Sequence, residues 1–190
     1  FREWFMLEIE QKFRLTGNEP IEAGIAEMGA ITLGEIMEED HYFNAPDRDF
    51  AKTGEAFRIR RIGDKNFLTY KGPKLQQEVK VRRELEIDIF PGLHAFENFR
   101  ELLLALGYKF VAVVRKNRTE WKFKRHSFDM ALCLDKVEKL GQFMEVEIVT
   151  GESQVDQASA LVKQIATKLG LVQLEPRSYL RMLLEKECAG

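Results

Sequence analysis

Charged and apolar residues alternate along this chain with the period of a β-strand, and the charged positions carry both signs. In Glu8-Ile9-Glu10-Gln11-Lys12, two carboxylates and an ammonium occupy every second position, with Leu7, Ile9 and Phe13 on the other parity. In a strand, residues i, i+2 and i+4 share one face, so Glu8, Glu10 and Lys12 point together and the apolar residues point away. The same code recurs downstream. From Val79 to Ile89 the odd positions Val79, Val81, Leu85, Ile87 and Ile89 are apolar, with Arg83 the exception. The even positions Lys80, Arg82, Glu84, Glu86 and Asp88 are all charged. Arg58 and Arg60 share a face, Lys116 and Arg118 stand two apart, and Glu145 and Glu147 flank Val146.

Two arrangements accommodate such strands. Each charged face can be the solvated outside of an antiparallel sheet. Alternatively, the charged faces converge inside a closed barrel and the apolar faces pack outward beneath helices. Buried charges are costly unless paired or ligated, so a barrel lined with both signs needs a reason. A triphosphate with a divalent metal supplies one: carboxylates hold Mg²⁺ or Mn²⁺, and Arg and Lys hold phosphate oxygens.

The rest of the chain fits an α+β protein. Strands are expected over residues 3–15, 31–43, 56–62, 67–71, 79–89, 110–116, 119–124, 127–134 and 142–149. Helices are expected over 19–28, 93–106, 154–169 and 177–186. Asn18 or Thr16 can cap the first helix and Gly107 can end the second. About nine strands with no regular βαβ alternation argue for an antiparallel sheet large enough to close. With 190 residues, 45% hydrophobic, the default is one domain over 1–190.

Composition also excludes several classes. Twenty-nine Lys plus Arg against 31 Asp plus Glu give no basic bias for nucleic acid. No apolar run is long enough to span a membrane, and no cationic leader supports secretion. Cys133 and Cys188, far apart in sequence, read as free thiols of a reducing cytoplasm. No Ser-His-Asp set, zinc-ligand spacing or P-loop is evident. His41, His94 and His126, with Trp4 and Trp121, are expected in surface or packing roles.

The ordered motifs resemble one family. Glu8-x-Glu10-x-Lys12 is similar to the ExExK signature of the CYTH superfamily, the triphosphate tunnel metalloenzymes. Tyr42-Phe43-Asn44-Ala45-Pro46 leads into Thr53-Gly54-Glu55-Ala56-Phe57-Arg58-Ile59-Arg60, and Leu68-Thr69-Tyr70-Lys71-Gly72-Pro73-Lys74 resembles the family's lysine strand. Glu84-Leu85-Glu86, Lys116-Asn117-Arg118, the stretch from Leu134 and Asp135 to Glu145-Val146-Glu147, and Arg177-Ser178-Tyr179 follow in order. The Tyr-Phe-Asn-x-Pro and Thr-Tyr-Lys-Gly-Pro-Lys phrases look most like class IV adenylyl cyclases.

The resemblance implies a closed antiparallel β-barrel, the triphosphate tunnel, with helices packed outside. It implies that Glu8, Glu10, Glu145 and Glu147 ligate Mg²⁺ or Mn²⁺, with Asp135 assisting a second metal. Lys12, Arg58, Arg60, Lys71, Lys116 and Arg118 would act on and grip the triphosphate, and Arg82, Glu84 and Glu86 would line the tunnel. The implied reaction is ATP to cyclic AMP and pyrophosphate. The alternatives are thiamine triphosphatase or inorganic triphosphatase activity, or a non-catalytic polyphosphate-binding module. The expected partner is a nucleoside triphosphate or another small triphosphate, and a homodimer is left open.

Overall fold

The computed structural model describes residues 6–17, 21–73, 75 and 79–188. Its strands are β1 (Leu7–Arg14), β2 (Ile31–Asn44), β3 (Ala56–Ile62), β4 (Lys65–Lys71), β5 (Lys80–Ile89), β6 (Lys109–Arg125), β7 (Phe128–Val137) and β8 (Gly141–Thr150). They close into an antiparallel barrel in the order β1-β5-β4-β3-β2-β6-β7-β8, with β8 pairing back onto β1. Closure removes the edges that an open sheet would expose. Helices are α1 (Ile21–Glu27), α2 (Phe50–Thr53), α3 (Leu93–Ala105), α4 (Val155–Lys168) and α5 (Tyr179–Cys188).

Alternation decides which face goes where. The apolar sides of β1, β7 and β8 (Ile9, Met130, Leu132, Met144, Val146 and Ile148) form one core with α1 and α4 outside the barrel. Helix α4 contributes Ala158, Leu161, Val162, Ile165 and Ala166, the i, i+3, i+4, i+7, i+8 stripe of an amphipathic helix. Each of its larger aliphatic side chains contributes about 1.5–3 kcal/mol by leaving water. Helix α1 approaches closely through Gly24, where a Cβ would lie 2.7 Å from Leu169 Cδ2. On the opposite side, Phe96 and Leu103 of α3 cover Phe43 and Ile59. That helix ends where Gly107 takes φ +88°, a conformation that favours glycine.

Helix α5 is different, because it packs on inward-facing residues. Tyr179, Met182 and Leu183 cluster with Tyr42, Val114, Val137 and Phe143 at one end of the barrel. The preceding segment is tied to β1 by Arg14 N–H to Gln173 O at 2.8 Å and Glu175 N–H to Lys12 O at 2.8 Å.

Three expectations change. The two strands over 110–116 and 119–124 are one, β6, so the described strands number eight. Asn117, between the two expected strands, pairs with Met37 on one side and Lys136 on the other, so both ladders run through it. Helix α2 was not foreseen. It starts at Asp49, whose side chain accepts from Ala51 N–H, and ends at Gly54 with φ +77°. The far half of β5 is not covered by a helix: Leu85 and Ile87 are exposed. Trp4, Asn18, Pro20 and Lys74 lie outside the described residues, while Trp121 packs on the α1–α4 core. Both cysteines are free thiols, Cys133 buried and Cys188 exposed. No helix among the described residues is long and apolar enough to cross a membrane.

Candidate metal and triphosphate site

Strand register assembles the site. β1 lies between β5 and β8, placing Glu8 opposite Arg82, Glu10 opposite both Lys80 and Glu147, and Lys12 opposite Glu145. Directly opposed residues share a face, so these side chains meet inside the barrel. Oxygens of Glu8, Glu10 and Glu147 all lie within 4.8 Å of one another. The inward side chains line a cavity of about 1520 Å³ that also holds Lys12, Arg58, Arg60, Lys71, Arg82, Glu84, Glu86, Lys116, Arg118 and Glu145.

Two lysines donate hydrogen bonds to the carboxylate cluster. Lys71 Nζ donates to both oxygens of Glu8, at 2.7 and 2.8 Å, and lies 2.8 Å from Glu84. Lys80 Nζ donates to Glu10 at 2.6 Å. Arg82 Nε stands 3.5 Å from Glu8. Glu147 is the least compensated of the three, with Arg118 at 3.9 Å. Glu86, nearer the rim, accepts from Thr69 Oγ1 at 2.8 Å.

The facing wall is basic, and it is held in place by acids. Arg58 and Arg60 both donate to Asp40, at 2.9, 2.7 and 2.9 Å. Arg60 and Lys116 sit 2.9 and 3.2 Å from Glu38. Asp135, with 0% exposure, receives Arg118 through two bonds of 2.6 Å, Lys116 at 3.1 Å and Tyr179 Oη at 2.8 Å. Glu145 accepts from Arg118 and lies 3.8 Å from Lys12. The Lys12 ammonium sits 4.0 Å from the centre of the Tyr179 ring, a cation–π contact.

Sequence reasoning grouped Asp135 and Glu145 with the metal carboxylates. The structure places both on basic side chains: Asp135 holds Arg118 and Lys116, and Glu145 holds Arg118 and Lys12 while neighbouring Glu10 and Glu147. It also brings in four residues outside the expected set: Glu38, Asp40, Lys80 and Tyr179. Crowded, unpaired positive charge does not describe this cavity, since each basic group named here faces at least one carboxylate.

Electrostatics differ between the two walls. Burial raises Glu147 well above the usual carboxylate range, and Arg118 does not offset it against the neighbouring Glu145, Glu8 and Glu10. Burial likewise raises Glu8, against the pull of Lys71. Glu10 is also pushed up by burial, but Lys80, Lys12 and Arg82 together hold it at about 2. Burial, together with the adjacent Lys80, brings Lys12 down to about 7. On the basic wall, burial opposes ionisation of Asp135, yet Lys116 and Arg118 keep it at about 2. Among the residues lining the cavity, the buried Nε–H groups of Arg58 and Arg82 make no hydrogen bond.

These features suit a hard cation and an anion together. Three hard oxygen donors within reach of one another match Mg²⁺ or Mn²⁺ rather than a soft metal. The unbonded arginine N–H groups match phosphate oxygens.

The CYTH domain pattern matches residues 6–179, the interval from β1 to the first residue of α5. The chain belongs to the CYTH domain family. A Methanocaldococcus jannaschii protein named "putative adenylate cyclase" is 36% identical over 142 residues, covering 75% of this chain and 77% of that protein. The solved structure of PH1819 from Pyrococcus horikoshii is 36% identical with a TM-score of 0.82, covering 94% of this chain and 99% of that one. At 17% identity, a Hippeastrum protein named HpAC1 shares the fold with a TM-score of 0.68, over 95% of this chain and 96% of that one. The CYTH match takes in both the carboxylate cluster and the basic wall.

Proposed function

We propose that this protein carries out metal-dependent phosphoryl chemistry on a triphosphate, with ATP converted to cyclic AMP and pyrophosphate. The observation that carries this reading is the shared cavity. A three-carboxylate cluster, Glu8, Glu10 and Glu147, opens into the same space as Arg58, Arg60, Lys116 and Arg118. A protein that only bound anions would have no use for the cluster.

Glu8, Glu10 and Glu147 would hold Mg²⁺ or Mn²⁺. Bound there, the metal would lower the pKa of an attacking hydroxyl and neutralise phosphate charge. Arg58, Arg60, Lys116 and Arg118 would grip phosphate oxygens and stabilise negative charge in the transition state. Asp40, Glu38 and Asp135 act as positioning residues, because each fixes at least two of those basic groups before substrate arrives. Lys12 has the most to gain from phosphate. Its nearest carboxylate is 3.8 Å away, and burial already weakens its charge. Lys71 and Arg82, beside Glu8, would meet phosphates next to the metal.

Cyclisation forms a bond from the ribose 3′ oxygen to the α-phosphorus and breaks the bond from that phosphorus to the oxygen leading to the β-phosphate. Pyrophosphate leaves, and the hydroxyl proton passes to it or to solvent water. Positioning the α-phosphorus in line with the ribose oxygen is what the two walls must achieve. The cyclase-like phrases at Tyr42–Pro46 and Thr69–Lys74 and the name of the 36%-identical archaeal relative support this choice. Hydrolysis is the second reading. HpAC1 is described as having a dominant triphosphatase activity, so this fold also accommodates water as nucleophile. Incubation with ATP, thiamine triphosphate or tripolyphosphate, each with Mg²⁺ or Mn²⁺, followed by product analysis, tests the proposal. Cyclic AMP and pyrophosphate from ATP are expected. ADP and phosphate from ATP, with faster cleavage of the other two substrates, would replace the cyclase with a triphosphatase.

A further inference from the structure

Lys80 stands out among the cavity's basic residues. It belongs to none of the motifs that mark the triphosphate-gripping set, yet it is nearly as buried as Lys12. Its ammonium lies 2.6 Å from Glu10 Oε1, on an oxygen of the three-carboxylate cluster. Glu8 is capped differently: Lys71 divides itself between Glu8 and Glu84 and so has another carboxylate to keep. Lys80 is tied more closely to one partner: β5 sets it directly opposite Glu10, its ion pair is to that carboxylate, and Glu145 acts on it less strongly. Lys12, on the same face of β1, adds a second ammonium beside Glu10 and Glu145.

We propose that Lys80 is a built-in counter-cation that occupies Glu10 in the metal-free protein and competes with the divalent metal for that carboxylate. This rests on the reading of Glu8, Glu10 and Glu147 as the metal site. The physics is direct. A buried carboxylate without a partner is strongly destabilising, so the empty cluster needs an internal cation to fold. That same cation repels a dication sharing Glu10 with it, and the low dielectric of a buried site strengthens the repulsion. Lys80 therefore trades metal affinity for stability of the metal-free barrel. Metal then binds well when a triphosphate offers the displaced ammonium a new anion, which couples metal binding to substrate binding.

The test uses the whole chain and Mn²⁺ alone, with no triphosphate. Titration calorimetry and Mn²⁺ electron paramagnetic resonance would compare wild type with Lys80→Met and Lys80→Gln, the second keeping a hydrogen-bond donor to Glu10 without the charge. Both variants should bind Mn²⁺ at least tenfold more tightly than wild type. They should also melt lower without metal and gain more in Tm when Mn²⁺ is added. Lys80→Arg, which keeps the charge, should bind Mn²⁺ like wild type. Unchanged or weaker Mn²⁺ binding by both neutral variants, beside measurable wild-type binding, would overturn the counter-cation role while leaving the metal site standing. No Mn²⁺ binding by wild type or any variant, with or without tripolyphosphate, would overturn the metal reading itself.

Discussion

Replacing Asp135 with Asn removes the charge at the centre of the basic wall while keeping the side chain's shape. Asp135 is fully buried and accepts from Arg118, Lys116 and Tyr179. Breaking a buried ion pair from one side costs about 3–5 kcal/mol, because the partner charge stays buried. Here the lower end applies, since Arg118 keeps Glu145 and Lys116 keeps Glu38. In a protein of 190 residues, about 3 kcal/mol corresponds to a fall in Tm of about 6–12 °C. The loss should shrink in acid. Lys116 and Arg118 hold Asp135 at about 2 against an ordinary 3.8. A folded-state value below the unfolded one means that the stabilisation is complete above about pH 4 and drains away as pH falls towards 2. Thermal unfolding followed by circular dichroism should therefore show a wide Tm gap between wild type and Asp135→Asn at pH 7 that narrows by pH 3. Tripolyphosphate, by giving Arg118 and Lys116 another anion, should restore part of the loss at pH 7. A variant within about 2 °C of wild type at pH 7, or a gap that does not change with pH, would show that the Asp135 charge does not hold the basic wall together. The variant should still bind Mn²⁺; loss of binding would put Asp135 among the metal ligands.

Tyr179→Phe deletes one hydrogen bond to Asp135 and keeps the ring under Lys12. A loss of about 1 kcal/mol, or about 2–4 °C, is expected, and the ring's packing should leave ligand-induced stabilisation in place, as measured by thermal shift. Tripolyphosphate with Mg²⁺ should raise Tm more than monophosphate with Mg²⁺ does, because linkage scales with affinity and several basic groups act at once. Equal shifts from the two anions would argue against a multi-phosphate site.

Much of this arrangement was written in the alternation. Glu8, Glu10 and Lys12, or Arg58 and Arg60, announce shared faces through their spacing, and the recurrence of both charge signs in strand after strand, with the apolar parity of β1 and β8, pointed those faces inward. What alternation does not carry is register. Glu145 sits two residues from Glu147, on the same face of the same strand. Yet only Glu147 is set opposite Glu10, while Glu145 is set opposite Lys12 and reaches Arg118. Asp135 joins the basic wall for the same reason, since β7 pairs it with Arg118. Glu38 and Asp40 went unread because Glu39 between them is charged too, which hides the period of two. A signal was present: Arg58 and Arg60, buried two apart, call for two acids at the same spacing on a neighbouring strand. Lys80 was visible as a charged even position, but only the pairing of β5 with β1 shows which carboxylate it meets. Helix α2 is four residues long, too short for periodicity to reveal.

In the proposed site, one cavity holds a divalent metal on three carboxylates and a triphosphate on the opposite wall. Crystals grown with Mn²⁺ and tripolyphosphate, with diffraction recorded for the anomalous signal of manganese, test it most directly. An anomalous peak coordinated by Glu8, Glu10 and Glu147 is expected, with phosphate oxygens on Arg58, Arg60, Lys116 and Arg118. A manganese peak away from those three carboxylates, or a triphosphate bound outside the barrel, would contradict it.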